Sequence, residues 1–317
     1  MKILITGAAG FIGFSLANQL LKRKYKIYGI DNFDDYYSIS LKKKRVNFLK
    51  KNKRFSFIKL DINNKKKLNT FFKNKKIDMI INLAAQAGVR YSLENPTKYI
   101  DVNILGFLNL VEQAKINNIK KFIYASSSSV YGESTNFPLK ENEQLNPKNI
   151  YAVSKKLNEE IAEMHQKIDK INFIGLRFFT VFGEWGRPDM FMLKLFKAHT
   201  TKGMFYLNNY GNHERDFTYI GDVVKTVDKL IKRKFKRHEV FNICSNKPIN
   251  IYDVVKNFKK NYKVKVKLIE MHKADLMKTH GSNKKLKKHR LGINYSNFYE
   301  KFYQTFEWYK KNKIYKL

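Results

Sequence analysis

The sequence predicts an α/β fold, a doubly wound parallel sheet followed by a smaller C-terminal α/β lobe. Three observations lead there. From Lys2 to Phe178, short apolar runs alternate with segments of helical periodicity. The short runs are apolar throughout, the pattern of strands buried on both faces of a sheet. The length of 317 residues also exceeds one average domain of about 150.

The elements follow in order. Lys2 to Thr6 reads as the first buried strand, and Gly7, Gly10 and Gly13 break the chain after it. Phe14, Leu16, Ala17, Leu20 and Leu21 then recur at helical spacing. Lys26 to Ile30 is a second strand, ending at Asp31-Asn32; residues 33 to 54, aromatic and then basic, read as a loop and a helix. Phe55 to Leu60 is a third strand, ending at Asp61, and Ile77 to Leu83 a fourth, ending at Ala84-Ala85-Gln86. Thr97 to Ile116 reads as one long helix, apolar on most of its circumference through Ile100, Ile104, Leu105, Phe107, Leu108 and Val111. Lys121 to Ser126 is a fifth strand, Tyr151 to Asp169 a helix, and Asn172 to Phe178 a sixth strand. Strands alternating with helices imply right-handed crossovers and a covered parallel sheet.

After Phe179 the pattern loosens. The expected division is a first domain over 1–178, to which 218–245 returns as a helix and a strand, and a substrate lobe over 179–317. The cleft between the two is the expected ligand site.

Composition narrows the class. Lys and Arg total 63 against 27 Asp and Glu, a net charge of +36. A polyanion partner is one reading. The lysines are spread through the chain, as Lys42 to Arg45, Lys65 to Lys67, Lys232 to Arg237 and Lys284 to Lys288, without a basic tail. A solvated lysine-rich surface accounts for them, so no nucleic-acid partner is expected, although the positive field helps collect an anionic small substrate. The single cysteine excludes a disulfide framework and cysteine-based metal sites. No apolar run approaches the roughly 20 residues of a membrane span. Met1-Lys2 leads straight into Ile3 with no cleavage pattern, so a cytoplasmic location is expected.

The first chemical motif is Gly7-Ala8-Ala9-Gly10-Phe11-Ile12-Gly13, between a buried strand and an amphipathic helix. This is the context of a Rossmann-type dinucleotide fingerprint. Gly7 permits the tight turn, Gly10 lets backbone approach a pyrophosphate, and Gly13 allows the helix to pack closely. The helix N-terminus supplies unpaired N–H groups. Asp31 ends the second strand, where an acid accepts from ribose hydroxyls and repels a 2′-phosphate; NAD is expected over NADP.

Tyr151 and Lys155 stand four residues apart, on one helical face. A nearby ammonium and the positive charge of an oxidised nicotinamide both favour phenolate, so Tyr151 reads as a general base with a lowered pKa. Lys155 can also hold the nicotinamide ribose. Ser126-Ser127-Ser128-Ser129 ends the fifth strand, where hydroxyls can hydrogen-bond the reacting oxygen.

On these stretches the chain resembles the extended short-chain dehydrogenase/reductases, the nucleotide-sugar epimerase/dehydratase family. The likeness runs through Ile5 to Gly13, Asp31-Asn32, Leu83 to Ser92, Ala125 to Gly132, Tyr151 to Lys155, Leu176 to Met190 and Arg215 to Asp222, weakening after about residue 260. It implies Ser127, Tyr151 and Lys155 as the catalytic set. It implies a cofactor cradle of Gly7, Gly10, Phe11, Ile12, Gly13, Asp31, Asn32, Asp61, Ile62, Leu83, Ala84, Ala85, Asn103 and Phe178, with Tyr151 and Lys155. Substrate contacts are implied for Arg90, Ser127, Ser128, Thr180, Arg187, Arg215 and Asp275. Arg215 resembles the family arginine that holds the UDP diphosphate, while His272 sits where related epimerases carry another arginine.

Ser128-Ser129 replace the acids that family dehydratases and decarboxylases place beside the catalytic hydroxyl, so epimerisation is expected. With Thr180 and Arg187 on a uronate carboxylate, the implied reaction is NAD-dependent C4 inversion of UDP-glucuronate to UDP-galacturonate, for surface polysaccharide, with NAD tightly bound and regenerated each cycle. Two alternatives stand beside it: the same chemistry on UDP-glucose or a UDP-N-acetylhexosamine, and a non-catalytic NAD- or RNA-binding protein of this fold. No histidine is assigned to catalysis or metal binding. Cys244, Trp185 and Trp308 read as packing residues. The 97–116 and 151–169 helices are expected to pair across a two-fold axis in a homodimer.

Overall fold

The computed structural model describes residues 1–272 and 274–312. The expected C-terminal lobe therefore has residues 273 and 313–317 outside the described part. The first half builds β1 (Lys2–Thr6), α1 (Phe11–Lys22), β2 (Lys26–Asp31), α2 (Ile39–Lys50), β3 (Phe55–Lys59), α3 (Lys65–Asn74) and β4 (Met79–Asn82). Then come α4 (Val89–Glu94), α5 (Pro96–Tyr99), α6 (Gly106–Ile116), β5 (Lys121–Ser127), α7 (Ile150–Asp169) and β6 (Asn172–Phe178). The second half adds β7 (Thr180–Phe182), α8 (Phe191–Thr200), β8 (Met204–Asn208), β9 (Glu214–Tyr219), α9 (Ile220–Ile231) and β10 (Glu239–Ile243). It closes with β11 (Pro248–Asn250), α10 (Ile251–Asn261), β12 (Lys265–Ile269), α11 (Lys284–Lys288) and α12 (Phe298–Lys311).

The main sheet has the order β10-β6-β5-β4-β1-β2-β3, and every pair in it is parallel. The chain thus winds outward in both directions from β1, the doubly wound Rossmann arrangement. The switch point lies between β1 and β4, where their carboxyl ends open a crevice. Fully apolar strands explain the two-sided cover. Ile3 and Ile5 belong to one core with α1 and α9, and Leu4, on the opposite face, to a second core with α3 and α6. α9 and β10 return to this domain, packing on α1 and pairing with β6. A third core, rich in Phe196, Phe258, Phe302 and Phe306, holds the smaller lobe. Its sheets are β11-β9-β7 and β12-β8.

The six strands expected up to Phe178 lie within two residues of their expected bounds, but three helical regions differ. The single helix expected over 97–116 is α5, a π-helical segment at Ile100–Leu105, and α6. The π turn places Asn103 where its side chain reaches the chain after β4. α3 hides behind Lys65 to Lys67: Leu68, Phe71 and Phe72 form its buried face, and Asn64 caps it through the Lys67 N–H at 2.9 Å. α4, in a stretch to which the sequence reading assigns no element, carries Arg90.

Candidate active site

The carboxyl ends of β1, β2, β4, β5 and β6 line a cleft of about 450 Å³, closed on the other side by the 180–190 segment. At one end lies the glycine turn. Gly7 has φ +67°, a conformation L side chains rarely adopt, and a Cβ there would stand 2.7 Å from the Ala84 nitrogen. A Cβ on Gly13 would overlap the Gly7 carbonyl. Gly10 caps α1 with no side chain across its N–H groups, which leaves the first-turn donors free to meet an anion. Asp31 accepts from the Ala9 N–H at 3.0 Å and the Phe33 N–H at 2.9 Å, and burial raises its pKa. Asn32 donates to Asp61 at 2.9 Å. The cradle has the shape, donors and acid that a dinucleotide requires, so it fits NAD.

At the other end stand Ser127, Tyr151 and Lys155. β5 delivers Ser127 as its last residue, and Asn149 caps α7 through the Ala152 N–H at 2.9 Å, fixing the turn that carries Tyr151. The Ser127 side chain and the Tyr151 phenol share the cleft; the Ser127 hydroxyl donates to the Ser129 hydroxyl and accepts from the Ser129 N–H, each at 3.1 Å. Lys155 is buried, and its ammonium donates to the Ala125 carbonyl at 3.0 Å. Burial pushes the Lys155 pKa down to about 8.

The expected help from the Lys155 ammonium is not found among the groups acting on Tyr151. In the protein itself the Tyr151 pKa is raised, not lowered, because burial outweighs the stabilising groups. Those groups are the Ser127 hydroxyl and the Arg187 charge; Lys155 is not among them. The helical spacing puts Lys155 on the right face, but its ammonium is spent on a β5 carbonyl.

Arg187 lines the cleft and forms a two-pronged pair with Asp189, with one contact at 3.0 Å. The Tyr36 hydroxyl donates to the same carboxylate at 3.2 Å, and the Tyr36 ring lies 5.5 Å from the Arg187 guanidinium. Asp189 holds the Arg187 pKa above its ordinary value. Thr180 and Ser128 also line the cleft.

Of the expected cradle, Phe11, Ile12, Ile62, Leu83, Ala84, Ala85 and Phe178 also line the cleft. Asn103 does not. It is buried behind the wall, exchanging hydrogen bonds with the Gln86 backbone at 2.8 and 3.1 Å and donating to Ser154 at 3.0 Å. Nor do Arg90, Arg215 and Asp275 line it; they meet beyond its rim. Arg90 pairs with Asp275 at 2.8 and 3.2 Å, tying α4 to the smaller lobe. Arg215 donates to the carbonyls of Glu214, Leu276 and Met277, and burial pushes its pKa down to about 10, with Asp275 opposing. Its donors point at backbone in this arrangement.

Several residues of the site escaped the sequence reading. Lys42 and Arg45 looked like one solvated basic run, yet both are buried. Lys42 lines the cleft beside Asp31. The signal was available: Leu41, Lys42, Arg45, Val46 and Leu49 share one face at helical spacing. Glu159 is a second case. One turn beyond Lys155, it grips Arg177 at 2.7 and 2.9 Å and accepts from Ser126. That buried pair fixes α7 against β5 and β6.

A parallel doubly wound sheet with a glycine turn, an acid after β2 and a Ser-Tyr-Lys cluster defines a dinucleotide-dependent protein of the short-chain dehydrogenase/reductase kind. Residues 3–244 match the NAD dependent epimerase/dehydratase family, and the chain belongs to it. It is 37% identical to a UDP-glucuronate 4-epimerase of Thermodesulfobacterium geofontis, over 98% of this chain and 96% of the relative. It is 40% identical to UDP-glucuronate 4-epimerase 4 of Arabidopsis thaliana, over 89% of this chain and 69% of that protein. The crystal structure of the Bacillus cereus UDP-glucuronic acid 4-epimerase, in complex with UDP-glucuronic acid and NAD, superposes with a TM-score of 0.92. That likeness covers 98% of this chain and 99% of the other at 30% identity.

Proposed function

We propose that the protein is an NAD-dependent 4-epimerase that interconverts UDP-glucuronate and UDP-galacturonate. The observation that carries this reading is the Ser127–Tyr151 pair in one cleft with Arg187, flanked by the neutral Ser128 and Ser129. The relatives and the Bacillus cereus structure point to the same substrate.

The chain's own residues divide the work. Gly7, Gly10 and Gly13 open the pyrophosphate seat, and Asp31 takes the adenosine ribose. NAD, when bound there, supplies the reversible hydride acceptor at C4. Tyr151 receives the proton of the C4 hydroxyl and returns it, and Ser127 orients that oxygen. Lys155 is placed to hold a ribose hydroxyl. Ser128 and Ser129 carry no acid to expel a substituent at C6. Thr180 and Arg187 hold the uronate carboxylate away from the geometry in which a β-keto acid loses CO2. Arg215 and Asp275 take the UDP side. The cofactor stays tightly bound through the cycle.

Arg187 also supports a second reading. Asp189 already balances its charge, a setting that accepts a neutral hexose. The test uses purified protein with UDP-glucuronate and no added NAD, with products identified by proton NMR. UDP-galacturonate without CO2 establishes the reaction and the retained cofactor. A pentose with CO2 makes the protein a decarboxylase. No turnover with UDP-glucuronate, alongside turnover of UDP-glucose, establishes the neutral-sugar reading.

The same reading places the protein in the cytoplasm, in the supply of uronate for surface polysaccharide, as a homodimer. Among the described residues no helix is long and apolar enough to cross a membrane. The dimer rests on a bare apolar face: Leu105, Val153, Met164 and Ile168 of the 100–116 segment and α7 are 40–65% exposed. α6 and α7 pack side by side, so a second copy would complete a four-helix interface.

A further inference from the structure

Arg45 is one of the largest fully buried side chains in the protein, with 0% exposure, and it has no carboxylate partner among the described residues. Its guanidinium serves three backbone carbonyls instead. One nitrogen donates to the Ala9 carbonyl at 2.9 Å and to the Tyr37 hydroxyl at 2.8 Å. The other donates to the carbonyls of Trp185 and Gly186, the latter at 3.1 Å.

Those carbonyls belong to two different parts of the site. Ala9 lies within the glycine turn, and its N–H donates to Asp31. Trp185 and Gly186 lie immediately before Arg187. Trp185 has φ +62°, a left-handed conformation that a bulky residue keeps only when its surroundings enforce it. A buried charge left without such partners would be strongly destabilising. The planar fork, with donors on both sides, is the geometry that joins two loops through one side chain.

We infer that Arg45 is a positioning residue that sets the spacing between the dinucleotide turn and the loop carrying Arg187. It fixes the Trp185 kink, and through it the position of Arg187 relative to the cofactor. This rests on the assignment of Arg187 to the uronate carboxylate. If Arg187 drifts, the carboxylate of the 4-keto sugar is released toward the reactive geometry. The C5–C6 bond then breaks, its electron pair moves to the C4 carbonyl as an enol, C5 takes a proton, and CO2 leaves. Arg45 thereby acts on product identity from outside the cleft.

The test compares wild-type holoenzyme with Arg45→Lys, which keeps the charge and loses the fork. Two readouts are taken, amide hydrogen exchange and turnover of UDP-glucuronate. Exchange is expected to rise together in segments 7–13 and 183–190 while α10 keeps its wild-type protection. KM for UDP-glucuronate is expected to rise roughly tenfold to a hundredfold, more than kcat falls, with CO2 appearing beside the epimer. Unchanged exchange in either segment overturns the inference. So does a rise spread evenly over the chain with equal losses on every sugar, which marks an ordinary core residue. Should Arg45→Lys not fold, Tyr37→Phe removes only the hydroxyl partner. A smaller rise in the same two segments is expected, and no change there counts against the inference. If wild-type protein leaves UDP-glucuronate untouched, the uronate reading falls, while the exchange pattern still decides the role of Arg45.

Discussion

The Lys155 ammonium donates to the Ala125 carbonyl at 3.0 Å, inside a site where burial lowers its pKa from 10.5 to about 8. The lysine anchors α7 to the end of β5 while remaining a charge held at the floor of the cleft. Such an arrangement serves function at the expense of stability.

Replacing Lys155 with methionine is therefore expected to abolish turnover and raise the unfolding temperature at neutral pH. The shift corresponds to roughly 3 kcal/mol of unfavourable burial, less the bond to Ala125 that the variant gives up. The sign sets the pH course. Below about 8 the lysine is protonated both folded and unfolded, and the penalty is full. Between that value and 10.5 the unfolded chain holds more protons, so wild-type stability rises with pH. The advantage of Lys155→Met should shrink across that window in thermal melts from pH 7 to 10. An advantage that does not shrink would show that burial of charge is not its source.

Tyr151→Phe removes only a hydroxyl from a half-buried position in the cleft. The fold and the cradle at the far end of the cleft are unaffected, so cofactor retention is expected to match wild type. Epimerisation should drop by about 10²–10⁴ or more, the usual range for a lost acid–base group. Chromatographic assay and cofactor content measured on one sample check both halves.

Much of this site was legible because chemistry-bearing residues follow directly from strand ends. Gly7, Asp31, Asp61, Ala84 and Ser127 each lie at or just after a carboxyl end in the sheet, where periodicity alone places them. Tyr151 and Lys155 were legible from helical spacing. What stayed hidden depended on contacts between distant segments. Nothing local to Lys42 and Arg45 says that their basic run packs against the 185–186 loop, and Asp189 was not seen as the partner of Arg187. Arg90, Arg215 and Asp275 are each expected as separate substrate contacts, and the Arg90–Asp275 pair outside the cleft is tertiary. The π turn at 100–105 escaped for a different reason, since its apolar residues still follow a helical rhythm.

Gly13→Ala places a methyl group against the Gly7 carbonyl, with Ala8 close behind. Backbone on both sides leaves no flexible side chain to yield, so the turn must open. A loss of about 1–3 kcal/mol in stability is expected, as for overpacked sites. Retained NAD should fall in parallel, measured by release on denaturation. A variant that melts lower yet keeps its full cofactor would separate the turn from the cradle.

Ile168 and Met164 are 65% and 46% exposed on α7, in the face proposed to pair. Ile168→Asp is expected to convert a dimer to monomers in sedimentation velocity, while the monomer keeps its near-ultraviolet circular dichroism. A wild-type protein that already sediments as a monomer would leave that face without the proposed partner.

Arg187 carries the last prediction, because it acts on the base as well as on the sugar. Burial raises the Tyr151 pKa, and the Arg187 charge opposes it. A general base works in its deprotonated form, so turnover should climb with pH as Tyr151 loses its proton. Removing the cation in Arg187→Gln takes away a group that favours phenolate. The climbing limb of the pH profile is then expected to move to higher pH, whichever sugar is used. The loss at fixed pH should in addition be larger for UDP-glucuronate than for UDP-glucose, since only the uronate presents a carboxylate to Arg187. The two effects separate cleanly: the limb reports the base, and the ratio between sugars reports the carboxylate. A limb that stays in place with a changed ratio would confine Arg187 to the substrate. A moved limb with an unchanged ratio would confine it to Tyr151 and favour a neutral sugar.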